Sequence, residues 1–129
     1  MNEIAVYLVD DQLPFLKVAA AVVRATDGFR VVGCATSSEH AVDQIVIRGH
    51  DLGLVLLDVE MPVLDGPAVA RRVAERWPTL PIVYLSARRA DELADDVWQT
   101  SVVGFIDKAS FGPASLLDVR ELLLGRGLP

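Results

Sequence analysis

The chain predicts an α/β fold: a three-layer sandwich in which a five-stranded parallel sheet is flanked by five helices. Three observations predict it. Short apolar, β-branched runs alternate five times with segments of helical spacing. Two of those runs, Leu54–Leu57 and Ile82–Leu85, are apolar throughout, as strands buried on both faces of a parallel sheet must be. Four of the five runs are followed at once by residues that can do chemistry, where ligands bind in open parallel sheets.

The elements follow in order. Ile4–Val9 reads as the first strand. A helix is expected from about Leu13 to Thr26, with Leu16, Ala19, Ala20 and Val23 on one face. Arg30–Ala35 is the second strand, and Ser37-Ser38 offers an N-cap before Glu39 for a second helix ending near Gly49. Leu54–Leu57 is the third strand. Asp65-Gly66-Pro67 places proline in the first turn of a third helix, which stops at Trp77-Pro78. Ile82–Leu85 is the fourth strand, and a fourth helix is expected over about Asp91–Gln99. Val102–Ile106 is the fifth strand. A fifth helix opens near Pro113 and runs to Leu124, with Gly125 as its stop.

Composition bounds the function. The 129 residues fit one domain, expected to span 1–129 with no output module. Hydrophobic residues at 52% supply a core, and charged residues at 23% exclude a disordered class. No apolar run reaches the roughly 18 residues of a membrane span, and no signal-peptide pattern opens the chain, so a cytoplasmic location without membrane contact is expected. The lone Cys34 has no partner for an internal disulfide and reads as a small core residue. A net charge of −6 argues against direct nucleic-acid binding, which rests on many Lys and Arg contacts to phosphate.

The strand ends carry the chemistry. Parallel strands bring their carboxyl ends to one edge, so Asp10-Asp11, Asp58, Ser86 and Asp107-Lys108 should converge. Carboxylates this close repel one another and raise their pKa values unless a cation intervenes. Oxygen ligands of this kind suit Mg²⁺, which takes one or two carboxylates plus phosphate oxygens. A carboxylate kept ionised can act as a nucleophile. Phosphoryl transfer needs its equatorial oxygens neutralised, and a metal, Lys108 and the Ser86 hydroxyl could take one each. There is no G-x-x-x-x-G-K-[ST] and no G-x-G-x-x-G, so nucleotide hydrolysis is poorly supported.

Val9-Asp10-Asp11, then Leu57-Asp58-Val59-Glu60-Met61-Pro62-Val63-Leu64-Asp65-Gly66, then Leu85-Ser86-Ala87, then Gly104-Phe105-Ile106-Asp107-Lys108 resembles the receiver domain of bacterial two-component response regulators. The match covers nearly the whole chain in order and spacing. It implies a flavodoxin-like sheet of order 2-1-3-4-5. It implies that Asp58 accepts a phosphoryl group from a histidine kinase or phosphotransfer protein. By the same resemblance Asp11, Asp58 and the backbone carbonyl of Glu60 ligate Mg²⁺, with Asp10 acting indirectly. Lys108 pairs with the acyl phosphate, Ser86 moves to a phosphoryl oxygen, and Phe105 is the aromatic coupled to that movement. The face formed by helix 4, strand 5 and helix 5 is then the surface for an effector or a homodimer.

Two departures from the family pattern stand out. Ala109 replaces the usual proline after the lysine, whose cis peptide fixes the loop; a receiver lacking that proline also resembles those attached to helix-turn-helix outputs. Phe105 stands where many relatives carry Tyr and, lacking a hydroxyl, is expected to favour a buried rotamer. Glu60 and Arg88 each lie two residues beyond a site residue, and an ion pair between them would obstruct the attacking water.

Plainer readings compete residue by residue. Asp10-Asp11 could be a turn, Ser86 a helix N-cap, Lys108 a solvated lysine and Asp65 a turn-shaping acid. His40 and His50 lack partners at ligand spacing and read as surface residues. Arg71, Arg72 and Arg76 read as a solvated helix face, and Trp98 as either core or partner surface. Among functions, an aspartate-nucleophile phosphatase usually carries D-x-D on its first strand, whereas here the acids are adjacent. A degenerate receiver that only binds protein is the other alternative. The leading expectation is a switch, not an enzyme acting on an external substrate.

Overall fold

The computed structural model describes residues 3–93, 95, 98–99 and 101–125. Five strands form one parallel sheet: β1 (Ile4–Val9), β2 (Phe29–Ala35), β3 (Leu54–Asp58), β4 (Ile82–Ser86) and β5 (Val102–Asp107). Their order is β2-β1-β3-β4-β5. The helices are α1 (Leu13–Ala25), α2 (Ser38–Arg48), α3 (Gly66–Arg76) and α4 (Pro113–Gly125).

Alternation along the strands builds two cores. Val6, Leu8, Leu54, Leu56, Val83 and Leu85 pack on one face with Leu16, Val23, Leu116 and Leu123 of α1 and α4. Tyr7, Val9, Val55, Leu57, Ile82 and Tyr84 pack on the other with Ala41, Ile45, Val69 and Val73 of α2 and α3. Both faces of the central strands are therefore covered, as their uniform hydrophobicity requires.

Helix ends follow local chemistry. The Ser37 hydroxyl accepts from His40 N at 3.3 Å and caps α2. Asp65 caps α3, accepting from Ala68 N at 3.0 Å, with proline in the first turn. Asp65 therefore serves the turn, as its position suggests.

The segment between β4 and β5 differs from expectation. A helix is anticipated over about Asp91–Gln99, but the described residues there contain a 3-10 turn, Ala90–Glu92, followed by Leu93 in an extended conformation. Four α-helices, rather than five, stand among the described residues. Ala94, Asp96, Val97 and Thr100 lie outside them. Local bonds favour the turn: Arg89 N donates to Glu92 Oε1 at 2.8 Å, and the Arg89 guanidinium pairs with Asp91 at 3.2 Å. The spacing of Asp91, Glu92, Asp95 and Asp96 also sets like charges four apart, which disfavours helix.

Two smaller outcomes concern single residues. Cys34 is exposed, not core, because it lies on the edge strand β2 beyond a register shift. His40, His50, Arg71, Arg72 and Arg76 are all exposed. Among the described residues no helix is long and apolar enough to cross a membrane.

Candidate functional site

The strands run one residue further than their apolar stretches, so Asp58, Ser86 and Asp107 are the last residues of β3, β4 and β5. Ser86 and Asp107 are register partners. Asp10 follows β1 directly. The sheet edge thus collects all the acids, the hydroxyl and the ammonium that the sequence places at strand ends.

Carboxylate oxygens of Asp10, Asp11 and Asp58 all lie within 4.8 Å of one another. Asp10 and Asp58 are buried, while Asp11 is exposed. Lys108 Nζ lies 2.7 Å from Asp10 Oδ2 and 3.4 Å from Asp58 Oδ2. It also meets Gln12 Oε1 at 3.4 Å. Asp10 Oδ1 accepts from Gln12 N at 2.8 Å, so the acid pair ends β1 in a side-chain-closed turn.

The electrostatics follow from burial. Burial pushes the Asp58 carboxyl up to about 7; the nearby Asp10 charge adds to this, while Lys108 and the Glu60 N–H oppose it. Glu60 N donates to Asp58 Oδ1 at 3.2 Å. Asp10 Oδ2 makes its ion pair with Lys108 but receives no well-aligned hydrogen bond. Buried anions with an unsatisfied oxygen and one shared cation are what a hard divalent ion with oxygen ligands would satisfy. The donor set therefore fits Mg²⁺.

Lys108 is held without the usual proline. No peptide bond among the described residues is cis. Asp107 caps the following 3-10 turn, Lys108–Ser110, by accepting from Ala109 N at 2.8 Å. The lysine ammonium sits 4.9 Å from the centre of the Phe15 ring, which packs edge-on against Phe111 at 5.8 Å. The aromatic pair and the Asp107 cap set the direction of the lysine. Asp107 was visible at the strand end, but its capping role depends on a loop that could not be read without its dihedrals.

Ser86 is fully buried, and its Oγ accepts from Arg88 N at 2.9 Å. Arg88 Nε lies 3.2 Å from Glu60 Oε1, with both side chains about half exposed. Glu60, Met61, Pro62, Asp65, Arg88 and Leu93 line a cleft of about 530 Å³ beside the end of β3. Phe105 is half-buried against the α2/α3 core, 6.1 Å from the Trp98 ring.

Other contributors were not singled out. Ser38 is 2% exposed, and its hydroxyl donates to Pro62 O at 3.1 Å and accepts from Leu64 N at 3.2 Å. It staples the β3–α3 loop to α2, whereas the sequence offers Ser38 only as a cap. Gly66 lets that loop close: a Cβ there would lie 2.6 Å from Asp58 O, and Gly66 N donates to Val59 O at 2.8 Å. Val63 turns the loop at φ 70°.

Comparison with known proteins agrees with the geometry. The family model for the response regulator receiver domain matches residues 6–119. The positive alginate biosynthesis regulatory protein of Pseudomonas aeruginosa is 36% identical over 92% of this chain and 45% of its own length. A protein-glutamate methylesterase/protein-glutamine glutaminase of Geobacter sulfurreducens is 32% identical over 94% of this chain and 32% of its own. The chain thus spans between about a third and a half of these two relatives. The receiver domain of the NarL regulator from Mycobacterium tuberculosis superposes with a TM-score of 0.77 at 25% identity, covering 94% of this chain and 98% of that one. The CheX-CheY-BeF3-Mg complex from Borrelia burgdorferi gives 0.82 at 22% identity, covering 99% and 92%. With five parallel strands in the order 2-1-3-4-5 and the acidic edge in place, this chain belongs to the response regulator receiver family.

Proposed function

We propose that Asp58 accepts a phosphoryl group from the phosphohistidine of a histidine kinase or phosphotransfer protein, and that the modified chain switches partner binding or an output. The observation that carries this is the Lys108 ammonium 3.4 Å from Asp58 Oδ2, inside a cluster of three carboxylates. A buried anion flanked by one fixed cation and further oxygen ligands suits a nucleophile that must then bear a phosphoryl group.

Asp58, Asp11 and the Glu60 carbonyl are the residues that would hold Mg²⁺, with Asp10 acting through water or a hydrogen bond. When bound, the ion neutralises phosphoryl oxygens and keeps Asp58 ionised near neutral pH. A carboxylate oxygen of Asp58 forms the new bond to phosphorus as the bond to the histidine nitrogen breaks, and the electron pair leaves with the imidazole. Lys108 then pairs with a phosphoryl oxygen. The Ser86 hydroxyl, whose oxygen now accepts from Arg88 N, then donates its proton to another. Phe105 follows that movement and alters the β5–α4 face, where Gly104, Phe105, Val119 and Leu122 line an apolar groove. That face is the proposed docking surface for an effector or a second copy.

Glu60 and Arg88 are proposed to control access. Their pair spans the cleft beside Asp58 and would obstruct the water that hydrolyses the acyl phosphate. The chain acts on its own carboxylate and not on an external substrate.

Incubation with Mg²⁺ and acetyl phosphate, followed by intact-mass measurement, tests the central step. Wild type should gain one phosphoryl group and Asp58→Asn should gain none. An unchanged wild-type mass would overturn the reading.

A further inference from the structure

Three rings and one amide lie together beside the phosphoryl site, and the reading above uses only one of them. Tyr84 and Phe105 are register partners on β4 and β5. The Trp98 indole packs on both, with ring centres 5.7 Å from Tyr84 and 6.1 Å from Phe105. Its other side faces solvent, leaving it 40% exposed. The neighbouring Gln99 donates from Nε2 to Pro67 O at 2.9 Å, and its amide also reaches the Tyr84 hydroxyl.

Pro67 is not a neutral anchor. It lies in the first turn of α3 directly after Gly66, which has no room for a Cβ against Asp58 O and which donates to Val59 O. The backbone from Asp58 to Pro67 is therefore a closed loop with little slack. A displacement at Asp58 or Glu60 must be taken up partly at the first turn of α3, and Gln99 is bonded to that turn. Close-packed interiors pass such shifts on and do not absorb them.

We propose that Gln99 and Trp98 form a second strap from the phosphoryl site to the β5 face, carrying movement of the Asp58 loop through α3 to the Phe105 ring independently of Ser86. Gln99 is a positioning residue, and Trp98 is the element that moves. The indole lies over both rings like a wedge, so a shift of Gln99 changes how much of Phe105 it covers. Partners reading this face would meet the edge of Trp98 as well as Phe105.

This inference rests on phosphorylation of Asp58, and its test separates the two. The chain has two tryptophans, so 5-fluorotryptophan labelling gives two fluorine resonances, assigned with Trp98→Phe. Spectra are taken with Mg²⁺, before and after acetyl phosphate, alongside intact mass. The Trp98 resonance should move on phosphorylation, and by more than that of Trp77, which caps the far end of α3. Gln99→Met should lose most of the movement at unchanged mass gain. Tyr84→Phe, which keeps the ring and removes the hydroxyl bonded to Gln99, should lose part of it, and provides the readout if Gln99→Met unfolds. A phosphorylated protein whose Trp98 resonance stays put, or moves equally in both variants, overturns the strap alone. A protein that gains no mass overturns the phosphorylation reading and the strap with it.

Discussion

Lys108 Nζ lies closer to Asp10 Oδ2, at 2.7 Å, than to the proposed phosphoacceptor Asp58, at 3.4 Å. The lysine is almost wholly buried and Asp10 fully so. Removing one partner of such a pair leaves an uncompensated buried charge. Lys108→Met, which keeps an apolar stem beside Phe15, should destabilise the metal-free protein at pH 8 by about 3 kcal/mol. Mg²⁺ should restore most of that by supplying the missing positive charge. Urea unfolding with and without Mg²⁺ checks both; a loss below about 1 kcal/mol would mean the ammonium is not compensating the acids.

Asp58 gives a pH signature. Its folded-state pKa is raised to about 7 from an ordinary 3.8, chiefly by burial. The folded state therefore holds the proton more tightly than the unfolded chain. The associated stability is fully present below pH 3.8 and is lost as pH rises through about 7. Asp58→Asn lacks this loss. Without metal it should exceed wild type at pH 8 by on the order of 3 kcal/mol, with the gap closing towards pH 4. With saturating Mg²⁺ the order should reverse, since only wild type keeps the ligand. Unfolding midpoints across pH, in chelator and in Mg²⁺, provide the measurement.

The Glu60–Arg88 pair should matter for kinetics and hardly for folding. Both side chains are about half exposed, so Glu60→Ala with Arg88→Ala should change stability by less than about 1 kcal/mol. Loss of the phosphoryl group should nonetheless quicken several-fold in the double variant. Timing the decay by intact mass would show it, and an unchanged or slower decay counts against the access role.

Val63 holds a left-handed conformation at φ 70° with its side chain 80% exposed. Leu64 N donates back to Pro62 O at 2.9 Å across this tight turn. A β-branched residue is strained there, and the exposed side chain returns little packing. Val63→Gly should raise stability by about 1 kcal/mol, the relief of strain exceeding the added entropy of the unfolded chain. Thermal unfolding with Val63→Ala as a second comparison decides it; a less stable glycine variant would show that the turn is not strained.

Much of this was legible in the chain. Apolar runs announce buried parallel strands, and parallel strands must end together, so the meeting of Asp10, Asp11, Asp58, Ser86 and Lys108 follows before any coordinate. What stayed hidden depends on contacts between segments remote in sequence. Ser38 looks like one more capping serine until Pro62 and Leu64 arrive beside it. Gln99 looks like a helix residue until Pro67 accepts its amide. The expected fourth helix rested on spacing alone; the described residues at its start form a 3-10 turn instead, where side-chain bonds close Arg89 onto Glu92. Cys34 was placed by its chemistry in the core, but edge position prevailed.

The loop between β3 and α3 makes opposite demands of two positions three residues apart. At Gly66 any side chain would run into the Asp58 carbonyl, whereas at Val63 the backbone would be eased by having none. In a saturation library selected for signalling, column 66 should return glycine and little else, while glycine should be enriched over the parental valine in column 63 unless the exposed methyl groups meet a partner. Enrichment of valine at 63 would then mark the loop as a contact point, found by selection and without knowing what binds.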